Sequence, residues 1–418
     1  MYNKKNVLTV IISIIISILL IEFSLRIIGF NKYKFKGYPP YYLTRDTMNN
    51  FDIRKNIKGT YLIFNDSKFK VWGNEIGCFD ESITNIEDGY ILAVGDSNSW
   101  GFVPYDKNWS YLLEKKLKRK VLNCGVPAYS TIQELHKIKK ILGIDEVVLN
   151  KGDYRNIYKP SLIILQYTFN NDFLGDYLFP QYKVQNKILT TNKYLAHINS
   201  GTIKEKNEDE NKFWKKFKYD LNEKFYLFRV LHRSHSFIRK KIKHSNNKKE
   251  TSSDRNNYGF YPSSFDLSYL NFEKFPWAKK AWKAHLENIL EFKKIADLSG
   301  AKLLFVFWGD LPDYSHKHFK KALFANRKYK KGMEDITLDN DKLLFDFLEQ
   351  NNINYLNLSK LAWDLVGYKS LTDEGEKLRD VLIWKIDNHL NIEGNKFMSE
   401  KIYNKLLDDN IIVIGVDK

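Results

Sequence analysis

The chain begins with its longest apolar run. Val7 to Ile21 holds only Ile, Leu, Val, Ser and Thr, and Glu22-Phe23-Ser24-Leu25-Arg26-Ile27-Ile28-Gly29-Phe30 extends it. A helix of that length crosses the hydrocarbon core of a bilayer. Glu22 and Arg26 stand i, i+4 and can pair near the interface, where the long Arg26 stem reaches water. No small-x-small cleavage site follows, so the pattern predicts an uncleaved anchor over residues 1–30. The Lys and Arg on its two flanks do not favour the usual N-inside orientation and by themselves lean the other way.

After the anchor the pattern turns polar. Residues 31–58 are irregular, broken at Pro39-Pro40, and Gly59 to Gly73 alternates around Asn65-Asp66-Ser67 as a β-hairpin would. Residues 31–70 therefore read as a tether with a hairpin, and Asn74 to Gly89 as a loop. From Tyr90 onward short apolar runs alternate with amphipathic segments. Strands are predicted at Tyr90–Val94, Val121–Cys124, Leu162–Tyr167, Lys302–Phe307 and Asn354–Asn357. Helices are predicted at Trp109–Lys120, Thr131–Leu142, Ala278–Leu298, Asp339–Gln350 and Ile392–Leu407. Leu162–Tyr167 is apolar on both faces, as a buried parallel strand must be. The alternation lapses over residues 173–277, an aromatic and basic insertion with a helical pattern at Phe213–Ile242 and a polar, surface-loop composition at His244–Asn257. These elements predict an α/β fold: a doubly wound, three-layer α/β/α (flavodoxin-like) domain of about five parallel strands over residues 71–408. An N-terminal transmembrane helix precedes it, a mixed insertion interrupts it, and a tail at 409–418 follows it.

Composition narrows the partners. The 418 residues are 43% hydrophobic and 15% aromatic, enough to fill a core and to exclude wholesale disorder. The net charge of +17 is mostly Lys spread along the chain. It suits an anionic membrane or cell-wall polymer as well as nucleic acid, but no zinc-finger or RNA-recognition signature is present, so nucleic acid is not expected. Abundant Lys, Asn and Ile make compositional bias the plainer source of that charge. With only Cys78 and Cys124, a disulfide framework is excluded and a Cys-based metal site is not expected; a single disulfide between them stays open.

The candidate chemistry begins at Gly95-Asp96-Ser97. A serine directly after a buried strand sits at the crevice where open α/β sheets place their ligands, beside the free N–H groups of the next helix. Asp96 has a bracing role there, hydrogen-bonded to backbone. Asp387 and His389 lie two apart on the loop before the closing helix. The carboxylate can hold the imidazole in the tautomer that takes a proton from serine, although an Asx-turn capping the helix would use the same residue types. Three oxyanion donors are candidates: the N–H of Ser97, the N–H of Gly125 and the side-chain amide of Asn171, each after a predicted strand. Taken singly, Gly125 could be a turn glycine and Asn171 a cap. His316 and His318 read as surface or packing residues. No cofactor or metal site is expected.

The set resembles the SGNH/GDSL hydrolase superfamily. Gly95-Asp96-Ser97 matches its first block, Asn123-Cys124-Gly125-Val126-Pro127-Ala128-Tyr129 looks like the second, Asn171-Asp172 the third, and Asp387 with His389 the last. There are two departures. Phe169-Asn170 stand where a glycine usually precedes the third-block Asn, and one residue rather than two separates the acid from the histidine; Ile386 fills the alternative acid position. That spacing looks like the extracytoplasmic O-acetyltransferase and esterase branches. The resemblance implies a Ser97–His389–Asp387 triad acting on acyl esters, with the domain outside the cytoplasm on a single-pass anchor spanning residues 7–30. The expected substrate is an acyl ester of a surface glycan or cell-wall polymer. An O-acyltransferase on the same scaffold, or a non-catalytic glycan-binding scaffold, are the alternatives.

Overall fold

The computed structural model describes residues 4–28, 38–39, 42–46, 48–64, 67–144, 159–168, 172–173, 175–176, 183–185 and 188–190. Farther along it describes 214, 217–218, 220–221, 224–232, 234–235, 276–308, 340–365, 381–384 and 389–412. The chain divides into two compact units: Met1–Pro40 with Tyr61–Phe69 and Lys204–Tyr261, and Tyr41–Thr60 with Lys70–Ile203 and Pro262–Lys418.

In the first unit, helix α1 spans Lys4–Ile27. Its stretch Asn6–Ile27 has a mean hydropathy of 2.6 and is almost wholly exposed, so it is long and apolar enough to cross a membrane. Two of its hydroxyls are satisfied internally: Ser13 Oγ donates to the Thr9 carbonyl at 2.9 Å and Ser17 Oγ to the Ser13 carbonyl at 2.8 Å. The expected Glu22–Arg26 pair is formed at 2.8 Å.

The second unit is built on a parallel sheet. Strands β1 (Leu43–Asp46) and β2 (Asn50–Ile53) come first, then β3 (Ile57–Phe64) and β4 (Ser67–Gly73), whose Tyr61–Phe69 portion is counted with the first unit. Then follow β5 (Ile91–Gly95), α2 (Ser97–Trp100), α3 (Trp109–Leu117), β6 (Val121–Asn123), α4 (Thr131–Leu142) and β7 (Leu162–Tyr167). The insertion contributes β8 (Lys183–Gln185) and β9 (Ile188–Thr190), an antiparallel pair. After it come α5 (Pro276–Ser299), β10 (Lys302–Phe307), α6 (Asn340–Gln350), β11 (Asn354–Asn357), α7 (Leu358–Leu365) and α8 (Ile392–Asp408).

The main sheet has the order β11-β10-β7-β5-β6, with every pairing parallel. The chain winds from β5 to β6 on one side, then crosses to β7 on the other. This is the flavodoxin-like order, and its switch point lies between β5 and β7. The pleat sorts the side chains by face. Ile91, Ala93, Leu162, Ile164, Leu304 and Val306 pack with Leu113 of α3, Ala362 of α7 and Met398 and Ile402 of α8. On the opposite face Tyr167 meets His285 of α5, and Phe307 meets Phe345 of α6 at 5.0 Å between ring centroids. Both faces are covered, which is why the central strands are almost wholly apolar.

The tether expected over residues 31–70 differs in its middle. β1 and β2 form an antiparallel hairpin whose turn is held by Asp46 Oδ1, which accepts the N–H groups of Met48 and Asn49 at 3.0 and 2.8 Å. The hairpin clasps α4. Lys137 Nζ donates to both Asp52 oxygens at 2.7 and 2.8 Å and to the Gly77 carbonyl at 3.0 Å, and Lys140 reaches Asp46 at 2.9 Å. Lys137 is fully buried, and burial holds its pKa below the ordinary value even against the Asp52 carboxylate. Leaving either charge of such a pair alone costs about 3–5 kcal/mol. β3 and β4 pair as the expected hairpin; its turn at Asn65-Asp66 lies outside the described residues.

The loop at 74–89 is pinned as well. Cys78 and Cys124 form a disulfide that closes a separation of 46 residues, worth about 4 kcal/mol by loop-closure entropy. Beside it, buried Asp80 accepts from Lys120 Nζ at 2.6 Å, the Asn123 N–H at 2.7 Å and Tyr105 Oη at 2.8 Å.

Candidate active site

Ser97 follows β5 as the first residue of α2, at the switch point. The backbone turns there on Gly95, whose φ is +154° and where a Cβ would stand 2.7 Å from the Gln166 carbonyl of β7. No other residue fits between the two strands at that point. Asp96 is the helix N-cap: its Oδ1 accepts the Asn98 N–H at 2.7 Å. That is the bracing role expected from its position.

Three side chains hold the short serine helix from behind. The Trp109 indole N–H donates to the Ser99 carbonyl at 3.0 Å, Asn123 Nδ2 to the same carbonyl at 2.9 Å, and Asn108 Nδ2 to the Trp100 carbonyl at 2.7 Å. The Trp100 indole in turn donates to Tyr42 Oη at 2.7 Å. The last carbonyls of a one-turn helix have no intrahelical partner, so these bonds replace them.

His389 arrives on a separate scaffold. A short antiparallel bridge, Ile383 with Leu390, fixes the chain on either side of the loop tip, and the Trp384 N–H donates to the His389 carbonyl at 3.1 Å. Asn391 caps α8 by accepting the Gly394 N–H at 2.9 Å. One turn on, buried Asn395 accepts the Trp109 N–H through Oδ1 at 3.2 Å, which ties α8 to α3 and so to the serine helix. The result is a 2.6 Å contact between His389 Nε2 and Ser97 Oγ, across 292 residues of sequence. The imidazole is half-buried against the Phe102 ring, 4.3 Å between centroids.

The oxyanion candidates fare differently. Gly125 packs directly against α2: a Cβ there would lie 2.6 Å from the Trp100 nitrogen. Its N–H is donated to Asn123 Oδ1 at 3.0 Å, so that hydrogen already has an acceptor. Asn171 and Asp387 lie outside the described residues, as do Phe169, Asn170, Ile386, His316 and His318. The residues flanking Asn171 are tied to the serine helix nonetheless. Asp172 Oδ2 accepts the Thr168 N–H at 2.6 Å, and Thr168 Oγ1 accepts from Asn98 Nδ2 at 3.2 Å.

Beneath this crevice sit two carboxyls that the sequence reading did not single out for chemistry. Glu134 and Asp172 are both buried; neither Glu134 oxygen has a hydrogen-bond partner, nor has Asp172 Oδ1. Burial, with the Asp96 and Asp176 charges adding to it, pushes the Glu134 pKa well above its ordinary value. Burial, then the Glu134 and Asp96 charges, do the same to Asp172. Both carboxyls therefore hold a proton more tightly than exposed ones would.

A second imidazole network was also missed. His285 Nε2 meets Tyr167 Oη at 2.7 Å and His285 Nδ1 meets Asp176 Oδ2 at 2.9 Å. Asp176 further accepts the Ile132 N–H and Asn288 Nδ2, both at 2.8 Å. His285 and Asn288 are i, i+3 on α5, a spacing that marks a shared helix face but names no partner. Among the described residues no group of three or more His, Cys, Asp or Glu is arranged to hold a metal ion.

No family model matches the chain, and no curated protein matches it. Solved structures do. The chain is similar to a protein described as lipolytic and of the G-D-S-L family from Desulfitobacterium hafniense DCB-2, at 13% identity and TM-score 0.32, over 76% of this chain and 100% of that one. It is similar to TesA at 12% identity and TM-score 0.34, over 77% and 99%. It is similar to protein YXIM from Bacillus subtilis at 11% identity and TM-score 0.33, over 80% of this chain and 60% of that one. Independently of these likenesses, the strand order and register define a flavodoxin-like sheet with Ser97 and His389 in contact beside its switch point.

Proposed function

We propose that the chain is a membrane-anchored serine hydrolase that cleaves acyl esters, of the SGNH/GDSL type that its four motifs resemble. The 2.6 Å approach of His389 Nε2 to Ser97 Oγ carries this reading. Distant segments, each independently braced, bring a hydroxyl and an imidazole together where an α/β sheet opens to ligand. Ser97 Oγ attacks the acyl carbonyl as its proton passes to His389 Nε2. The oxyanion is met by the N–H of Ser97, the Asn171 amide and the Gly125 N–H; the last must be shared with, or released by, Asn123 Oδ1. His389 then protonates the leaving alcohol, and an acyl-Ser97 ester remains. Asp387 keeps the Nδ1 hydrogen of His389 in place. Water, deprotonated by the same imidazole, releases the acid and restores the serine.

An extracytoplasmic site is supported by the Cys78–Cys124 disulfide, since such bonds persist in oxidising compartments. A surface glycan ester is the proposed substrate, in keeping with the basic, aromatic insertion. The test is labelling by a fluorophosphonate together with turnover of an acetyl ester, with and without a glycan acceptor. Labelling and hydrolysis that vanish in Ser97→Ala support the mechanism, and turnover retained in that variant overturns it. Acyl transfer that outpaces hydrolysis would assign the acceptor as a sugar hydroxyl rather than water.

A further inference from the structure

The first unit contains a feature that the hydrolase reading does not use. Glu22, near the end of the long apolar helix, is only 8% exposed although most of that helix is bare. Its cover comes from the insertion. Glu22 Oε1 accepts the Tyr226 N–H at 3.0 Å and Oε2 the Leu227 N–H at 2.8 Å. Arg26 Nη2 donates to the Lys224 carbonyl at 2.6 Å, and its guanidinium lies 5.4 Å from the centre of the Tyr226 ring. The Glu22–Arg26 ion pair is thus a socket for the helical residues around 226.

We propose that the described insertion residues between Trp214 and His235 lie on the lipid surface beside the anchor, with Trp214, Phe217, Phe225 and Leu231 in the headgroup region. This rests on reading α1 as a membrane-spanning helix. Depth is the first argument. At 1.5 Å per residue Glu22 stands about 24 Å, and Arg26 about 30 Å, along the axis from Asn6. A hydrocarbon core is about 30 Å thick, so the socket falls at its boundary. An ion pair that also binds backbone N–H and C=O groups belongs there, because hydrocarbon gives such groups nothing to bond.

The exposed side chains are the second argument. Trp214 is 57% exposed, Phe217 42%, Phe225 44% and Leu231 58%. Trp214 and Phe217 are in edge contact at 5.8 Å and, with Leu221, have the i, i+3, i+7 sequence spacing of one helical face. Large aromatic residues are the ones enriched where bilayer meets water. Exposed Lys218 and Lys224 flank them and suit anionic headgroups. The apolar surface of α1 and this apolar face belong to one compact unit. A lipid surface is the occupant that covers both.

The test places single reporters in the full-length protein. No described cysteine is free, so an introduced thiol is labelled alone. Trp214→Cys and Phe225→Cys, with Ile14→Cys as the depth reference, carry an environment-sensitive dye in vesicles of phosphatidylcholine and phosphatidylglycerol. Quenchers sit either at the headgroup or at mid-chain. The proposal expects the dyes at 214 and 225 to be quenched several-fold more by the headgroup quencher, and the dye at 14 by the mid-chain quencher. Glu22→Gln is expected to remove most of the headgroup quenching at 225 and leave position 14 unchanged. Quenching at 14 with none at 214 and 225 overturns the proposal while the anchor stands. No quenching at any of the three overturns both. Shielding at 214 and 225 without quenching, with cross-linked dimers, assigns the face to a second copy and overturns the lipid contact.

Discussion

Two imidazole–hydroxyl pairs stand at the C-terminal ends of adjacent strands. Ser97 with His389 follows β5, and Tyr167 with His285 ends β7, at nearly equal distances of 2.6 and 2.7 Å. The Tyr167 pair has its carboxylate, Asp176, in hydrogen-bond contact, and all three side chains are buried. The Ser97 pair is the more open: its hydroxyl starts a helix at the switch point and its imidazole is half-buried. A hydrogen-bonded relay alone therefore does not mark a catalytic centre. Under the proposed function, access and a place at the start of a helix are what set the Ser97 pair apart from the buried Tyr167 pair.

The largest effect that could break this contrast is on turnover. Ser97→Ala or His389→Ala is expected to cost about 10⁴-fold or more in kcat/KM against an acyl ester, with unfolding by urea unchanged. His285→Phe should act on stability instead, by about 3 kcal/mol in urea, because it strands Tyr167 Oη and one bond of Asp176. Loss of turnover in the folded His285→Phe protein, with stability intact, would erase the distinction. Tyr167→Phe removes one hydrogen bond and should cost about 1 kcal/mol, read from the same curves.

The smallest effect concerns Glu134, below the crevice. In the unfolded chain it loses its proton near its ordinary value of 4.5, whereas the fold keeps it protonated well above that. The folded state then binds more protons, so stability falls as pH rises from about 4.5. Glu134→Gln mimics the neutral form. Its melting temperature should gain on the parent's by a few degrees as pH increases from there, and identical profiles would show that Glu134 is ionised in the fold.

Much of this was legible beforehand, for local reasons. Leu162–Tyr167 reads as a buried strand because six consecutive residues suit both faces of a sheet, and all six are buried. Gly95-Asp96-Ser97 reads as a strand-to-helix turn because only glycine fits against Gln166 and aspartate caps the next N–H groups. The hairpin at Leu43–Ile53 was not legible, since its charged Asp46 and Asp52 look solvent-facing until α4 brings Lys140 and Lys137 to them. The same holds for Glu22, whose partners are the backbone N–H groups of residues 226 and 227, which carry no sequence signature.

By itself, then, the sequence determined the elements with strong period: the apolar N-terminal helix, the five strands with their helices, and the residue types on each strand-end loop. Periodicity and turn chemistry act within a few residues, so they survive in the linear text. The tertiary structure alone decided that β7 inserts beside β5, that Cys78 meets Cys124, that His285 is buried between Tyr167 and Asp176, and that Gly125 spends its N–H on Asn123. Those outcomes depend on which surfaces bury one another, a free-energy difference summed over residues far apart in the chain.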